Sequence, residues 1–70
     1  MAQSPERVYR KRVEAGLSQD QAASMAGIVR SHLSGIENGQ RGASPAVLCR
    51  IAAALGCNVA DLMPDESAAA

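Results

Sequence analysis

Three side chains that could carry chemistry stand close together near the middle of the chain. Ser31 and Ser34 could supply a nucleophile, and His32, the only histidine, could supply a base. Nucleophilic catalysis needs that base within hydrogen-bond reach and a concave site that excludes water. The surrounding residues predict a short exposed helix instead, with no glycine-rich phosphate loop and no paired carboxylates nearby. The sequence therefore argues against an enzyme.

The two cysteines indicate neither a metal site nor a disulfide framework. Cys49 and Cys57 lack the close pairing of zinc ligands, and His32 has no second ligand near it in sequence. We expect both thiols to be reduced, half-buried apolar residues, with a redox switch or an intermolecular bridge as the alternative. The sequence predicts no metal and no cofactor.

Small polar side chains line one side of a helix predicted over residues 29–38. At about 100° per residue, this side and its flanks comprise Arg30, Ser31, His32, Ser34, Gly35 and Asn38. Short hydrogen-bonding side chains beside an arginine suit a face that lies close against another surface. A DNA major groove is the natural candidate, because its base edges present donors and acceptors to an inserted helix.

Two short helices joined by a tight turn would position this side. Ser18 can cap the first helix, and Gln21 stands at the capping-box position three residues later. Gly27 falls where a left-handed residue would end that helix and turn the chain sharply. Leu33 and Ile36 lie on the opposite side of the second helix and must face a core.

Three further helices complete the predicted fold. Their start and stop signals place them at Ser4-Pro5 to about Ala15, at Ser44-Pro45 to Leu55, and at Val59 to about Met63, between a cap at Asn58 and Pro64. No strand signal or domain linker is visible. The sequence predicts an all-α, compact five-helix bundle over residues 4–64, followed by a disordered tail at residues 65–70.

The spacing of these signals resembles the lambda-repressor-like (Cro/C1, or XRE) helix-turn-helix family over about residues 7–63. The matching residues are Arg12, Gly16-Leu17-Ser18-Gln19, Ala23, Gly27, Leu33-Ser34, Ile36-Glu37-Asn38-Gly39, Arg41, Ser44-Pro45, Leu48 and Ile51-Ala52-Ala53-Ala54-Leu55-Gly56. The resemblance implies a DNA-binding domain that inserts its third helix, about residues 29–38, into the major groove.

The resemblance also implies roles for particular residues. Arg12 and Glu37 would form a buried ion pair between the first and third helices; the alternative is two independent surface charges. Base edges would be contacted by Val29, Arg30, Ser31, Ser34 and Gly35. Phosphates would be contacted by Gln19, His32, Asn38 and Arg41.

The chain departs from the family pattern at two positions. Ala22 stands where a leucine is usual, and we expect Met25 to fill the space that is left. Val29 stands where the family often has a serine or threonine cap, whose loss costs about 1 kcal/mol. We interpret Val29 either as an extension of the core side or as a contact to a thymine methyl group.

The net charge of the chain is zero, which by itself does not favour nucleic acid. The charges are segregated, however. Residues 1–50 hold seven basic and four acidic residues, a balance of +3, and residues 51–70 hold three acidic residues and no basic one, a balance of −3. One end of the protein could therefore face phosphates while the other points away.

No apolar run is long enough to span a membrane, and the first residues lack the apolar region of a signal peptide. We therefore expect a cytoplasmic protein with no membrane partner.

Two classes of function remain, and the first is a small DNA-binding regulator that acts on double-stranded DNA. One helix-turn-helix with so little charge makes few contacts, so we expect a homodimer on a palindromic operator, with recognition helices about 34 Å apart. Its interface would use apolar residues that appear surplus to the core: Val59, Leu62 and Met63, with Cys57 as a further candidate. The alternative is a protein–protein adaptor or an antitoxin of the same fold, whose partner would be a toxin or another protein.

Overall fold

The computed structural model describes residues 3–64, which form four α-helices and one short 3₁₀ helix. In chain order these are α1 (Pro5–Glu14), α2 (Gln19–Ala26), α3 (Arg30–Asn38), α4 (Pro45–Leu55) and the 3₁₀ helix (Val59–Leu62). Since this range contains no strand, the all-α prediction is confirmed, whereas the count of five helices is wrong. The tail predicted at residues 65–70 lies outside the described residues.

The segment expected to be a fifth α-helix is a single 3₁₀ turn. Its hydrogen bonds reach back three residues, from the Asp61 N–H to the Asn58 carbonyl and from the Met63 N–H to the Ala60 carbonyl. Pro64 follows, and a residue before proline is pushed into the extended region, which Met63 adopts with φ −91° and ψ 153°. The proline thus ends the turn before a fourth-residue bond can form.

The predicted helix starts are visible as capping hydrogen bonds. The Ser18 Oγ accepts from the Gln21 N–H at 3.0 Å, and the Gln21 Oε1 accepts from the Ser18 N–H at 2.9 Å, which completes the capping box of α2. Ser4 and Ser44 cap α1 and α4 with a single bond each, accepted by the serine Oγ from the Arg7 N–H and the Val47 N–H. By contrast, Val29 precedes α3 and supplies no side-chain cap.

The core lies where α2 packs against α4 and where α1 packs against α3. Its buried members are small or aliphatic: Val8, Ala22, Ala23, Ala26, Leu33, Ile36, Ala43, Leu48, Ile51, Ala52, Leu55 and Leu62. Met25 is 60% exposed, so the expectation that it fills the space beside Ala22 is wrong. The alanines of α2 share its buried side, where their small side chains allow α4 to approach closely.

Leu62 belongs to this core and is completely buried. The Ser4 N–H donates to the Leu62 carbonyl at 2.7 Å, which ties the start of α1 to the 3₁₀ helix. The expectation that Leu62 is left over after the core is filled is therefore wrong. Val59 and Met63 are only partly buried against the core, so they keep exposed apolar surface. None of the helices within residues 3–64 combines the length and apolarity that a membrane crossing needs.

Candidate nucleic-acid interface

One side of α3 is open to solvent and carries polar side chains at helical spacing. Arg30, Ser31 and Asn38 are exposed and Ser34 is half-buried, while Leu33 and other apolar residues on the opposite side are buried. We call the side formed by these four polar residues the open face of α3. The left-handed Gly27 (φ 72°) lets the chain turn between α2 and α3 and so sets the angle at which this face is presented.

Val29 lies at the start of the open face and not in the core. It is the residue before α3, and its side chain is 67% exposed. The neighbouring Ile28 packs against the core instead. The interpretation of Val29 as an extension of the core side is therefore wrong, and the contact to a thymine methyl group stays a prediction.

Gly35 does not lie on the open face, contrary to the expectation that it approaches base edges. It is buried, and the side chain of Arg41 lies over it. A Cβ atom built on Gly35 would stand 2.9 Å from both the Cγ and the Cδ of Arg41, closer than real Cβ contacts come. The absence of a side chain at Gly35 therefore makes room for the stem of Arg41.

Arg41 follows α3, and backbone hydrogen bonds attach it to the last turn of that helix. The carbonyl of Gly35 accepts from the Gln40 N–H at 2.9 Å and from the Arg41 N–H at 3.1 Å. The Arg41 residue itself is exposed. The stem of Arg41 thus lies against α3 at Gly35, and the residue is open to solvent.

Behind the open face, a network of hydrogen bonds connects α1, α2 and α3. The Arg12 Nε lies 2.7 Å from the Glu37 Oε2, and the Arg12 Nη2 lies 3.2 Å from the Glu37 Oε1. The side chains of the pair are 12% and 3% exposed. Arg12 also donates from Nη1 to the Leu17 carbonyl at 2.9 Å, and its guanidinium carbon lies 5.2 Å from the centre of the Tyr9 ring.

Gln19 extends this network to the start of α3. Its Nε2 donates to the Glu37 Oε1 at 3.0 Å, and its Oε1 accepts from the Arg30 Nε at a weak 3.5 Å. The Arg30 Nε also lies 3.8 Å from the Asp20 Oδ1 on the exposed surface. Within residues 3–64 no buried side-chain nitrogen or oxygen lacks a hydrogen-bond partner. The network is therefore fully satisfied, as a buried polar cluster must be to hold one geometry.

The residues expected to contact phosphates occupy different environments. Gln19 is half-buried at the first position of α2, where its amide nitrogen donates one hydrogen bond, to Glu37, within residues 3–64. His32 is also half-buried, whereas Asn38 and Arg41 are exposed. Gln19 thus lies beside Arg30 and Glu37 of α3, whereas Arg41 lies beside Gly35.

Gln3 is a residue of this region that sequence reasoning did not find. It is buried, and its amide makes hydrogen bonds to the loop between α3 and α4. A glutamine near the start of the chain carries no helical pattern or motif, so only its contacts reveal it.

The cysteines lie away from the open face. Cys57 is half-buried beside the 3₁₀ helix, whereas Cys49 is exposed on α4, contrary to the expectation that both would be half-buried. Burial raises the pKa of the Cys57 thiol, and the nearby Asp61 charge raises it further against a smaller opposite effect of Lys11. Within residues 3–64 no three His, Cys, Asp or Glu side chains are grouped as metal ligands would be.

The combination of α2, the turn at Gly27 and α3 is found in a known protein family. The helix-turn-helix family model HTH_3 matches residues 8–62, which include α2, α3 and the turn between them. The chain belongs to the Cro/C1-type helix-turn-helix family. A search of curated protein sequences finds no match to this helix-turn-helix chain.

Solved structures of regulators resemble this helix-turn-helix protein. The restriction-modification controller protein C.AhdI from Aeromonas hydrophila is 34% identical over 84% of this chain and 89% of its own, with a TM-score of 0.81. SinR, the master regulator for biofilm formation, solved in complex with DNA, is 32% identical over 80% of this chain and 90% of its own (TM-score 0.76). In the SinR–SinI complex, the matching chain is 28% identical over 100% of this chain and 67% of its own length, with a TM-score of 0.83. The family and these neighbours point to a DNA-binding regulator and not to an enzyme.

Proposed function

We propose that this protein is a sequence-specific transcriptional regulator that places the open face of α3 in the major groove of double-stranded DNA. The observation that carries the proposal is the composition of that face, which offers the Arg30 guanidinium, two serine hydroxyls and the Asn38 amide beside a buried anchoring network. Base edges in the major groove are read by such donors and acceptors. Similarity to SinR, which was solved in complex with DNA, supports the same role here.

The proposed contacts divide into those that read bases and those that hold the backbone. Arg30, Ser31 and Ser34 would reach base edges, with the exposed Val29 against a thymine methyl group. Gln19, Asn38 and Arg41 would bind phosphates on the two flanks, and His32 would assist from its half-buried position. Gly35 takes no direct part, because the stem of Arg41 covers it.

A homodimer on a palindromic operator is the proposed assembly. A single domain with zero net charge makes few phosphate contacts, and two copies double both the contacts and the bases that are read. The apolar surface left by the 3₁₀ helix at Val59 and Met63 is the proposed seam, without Leu62, which the core already buries. Such a regulator would act in the cytoplasm, the location expected from the sequence.

A direct test measures binding of the purified protein to a fluorescently labelled random-sequence DNA duplex as salt is raised. Phosphate contacts predict that the logarithm of the binding constant falls linearly with the logarithm of salt concentration. Selection of bound duplexes from a random pool then gives the preferred site, and a site with two inverted halves supports the dimer. Failure to bind DNA at low salt would contradict the proposal.

A protein partner is the second candidate function. The zero net charge favours it, and so does the similarity of this chain to a chain in the complex of the SinR and SinI proteins. This candidate predicts a folded protein that ignores DNA at every salt concentration yet binds a protein partner, for example a toxin if the chain is an antitoxin. The salt titration above therefore separates the two candidates.

A further inference from the structure

The N-terminal segment is joined to the loop between α3 and α4 by one side chain. Gln3 is 7% exposed, and its Nε2 donates to the Arg41 carbonyl at 2.9 Å. Its Oε1 accepts from the Ala43 N–H at 3.2 Å. Because a buried amide without partners is costly, these two bonds also keep Gln3 in place.

Arg41 is consequently held from three directions. Its N–H donates to the Gly35 carbonyl at 3.1 Å, its carbonyl accepts from Gln3, and its aliphatic stem lies on the bare backbone of Gly35. Only the guanidinium end is left unrestrained, since within residues 3–64 it has no hydrogen-bond or ion-pair partner. The side chain is thus prearranged while its charged end remains available.

We propose that Gln3 is a positioning residue for DNA binding, which holds the backbone of Arg41 so that its guanidinium meets the phosphate backbone. This inference rests on the proposed function. Ordering a loop and a long side chain at the moment of binding costs free energy, and an arrangement made in advance avoids that cost. Gln3 acts through Arg41 and does not itself touch DNA.

The chemistry of the two bonds explains why a neutral amide suits this position. The Arg41 carbonyl requires a donor and the Ala43 N–H requires an acceptor, and both must be supplied at the end of one side chain. A glutamine amide supplies both, whereas a carboxylate supplies only acceptors and a methionine supplies neither donor nor strong acceptor.

A double-mutant cycle on a fluorescently labelled random-sequence duplex tests the coupling. Arg41→Ala should weaken binding and reduce the salt slope by about one. Gln3→Met, which keeps the length of the side chain, should weaken binding severalfold when Arg41 is present. In the Arg41→Ala background the same Gln3→Met change should have no further effect. An equal effect in both backgrounds, or no effect in either, overturns the proposal.

A second variant tests the hydrogen bond to the Arg41 carbonyl through its dependence on pH. In Gln3→Glu the ionised carboxylate cannot donate to the Arg41 carbonyl, but the protonated acid can. Its DNA affinity relative to the parent should therefore recover as the pH falls from about 8 to about 4, whereas Gln3→Met should show no recovery. A flat ratio for Gln3→Glu contradicts the proposed bond.

The proposed DNA binding and the proposed role of Gln3 are contradicted by different results. If the parent protein binds no duplex, the proposed function is overturned, and the positioning role with it. If the parent binds DNA but the cycle shows no coupling between Gln3 and Arg41, only the positioning role is overturned.

Discussion

Arg12 and Glu37 hold α1 against α3 through two parallel hydrogen bonds of 2.7 and 3.2 Å, and the Glu37 side chain is only 3% exposed. Removal of one partner leaves an uncompensated buried charge. We expect Arg12→Met alone, or Glu37→Leu alone, to lower the free energy of unfolding by about 3–5 kcal/mol. The double variant should lose less than either single one, because no charge is left unpaired. Urea denaturation of the three variants measures this.

The surface pair of Glu6 and Arg10 provides a matched control for that measurement. Its Nη2–Oε1 distance of 2.6 Å is just as short, but both side chains are mostly exposed. Arg10→Ala should therefore change stability far less than Arg12→Met does, because solvent screens an exposed pair. Similar small losses for both pairs would mean that Arg12 and Glu37 are effectively solvated.

Arg30 should determine one position of the preferred DNA site. It is exposed at the first position of α3, and its Nε points to the Gln19 Oε1. We expect Arg30→Ala to reduce specific binding by about 1–3 kcal/mol and to relax the preference at one base pair. Site selection from a random pool compares the variant with Arg10→Ala, which removes an arginine from the side of α1 away from Arg12. An unchanged base preference after Arg30→Ala would place the reading surface elsewhere.

Gly35→Ala should separate stability from DNA binding. Alanine is the better helix former by about 1 kcal/mol, so the fold should keep or slightly gain stability. The new Cβ, however, would stand 2.9 Å from the Arg41 Cγ and Cδ and must displace that side chain. We expect weaker DNA binding, and no such loss when Arg41 is already alanine. Thermal unfolding and duplex binding are measured for the parent, the two single variants Gly35→Ala and Arg41→Ala, and the double variant. A large loss of stability in Gly35→Ala would contradict the expectation.

The 3₁₀ helix allows the dimer proposal to be tested without damage to the core. Leu62 is unsuitable, because Leu62→Ala should lower the free energy of unfolding by about 2–5 kcal/mol. Met63→Glu changes a partly buried residue at the proposed seam and should give a folded monomer with weaker operator binding. Ala53→Glu adds the same charge at an exposed position of α4 and serves as the control. Sedimentation of the parent as a monomer, on and off DNA, would refute the dimer.

Cys57 should react more slowly with an alkylating reagent than the exposed Cys49 does. Burial, helped by Asp61, raises the pKa of the Cys57 thiol above its usual value of 9.0, so less of the reactive thiolate forms in mild alkali. We expect slower alkylation of Cys57 than of Cys49 at about pH 8, as followed by mass spectrometry, and similar rates in denaturant. Asp61→Asn should speed the reaction of Cys57, and an unchanged rate would leave burial as the sole cause.

The raised pKa of Cys57 also makes the stability of the protein depend on pH in alkali. Because the folded protein keeps the Cys57 proton to higher pH than the unfolded chain does, this contribution to stability is complete below pH 9.0. It should be lost as the pH rises through the raised pKa of the folded state. Cys57→Ala should therefore show a shallower decrease of stability in alkali than the parent protein.

Local signals in the sequence determined the helices and the turn between α2 and α3. Ser18 with Gln21, the serine–proline pairs and Gly27 act on their own neighbours in the chain, so their effect can be inferred without knowing the fold. The residues of the open face followed from helical periodicity for the same reason. The pairing of Arg12 with Glu37 was implied only by the resemblance to a family, since nothing in their spacing joins them.

Tertiary structure decided every feature that depends on what lies next to a residue in space. Periodicity placed Gly35 on the open side, but the chain after α3 folds back and lays Arg41 across it. Apolarity made Leu62 look like interface surface, but the start of α1 closes over the 3₁₀ helix and buries it. Gln3 carries no local pattern at all and acquires its role from partners about forty residues away in the chain. Contacts at such separations depend on the path of the whole chain, and a sequence pattern records only the preferences of neighbours.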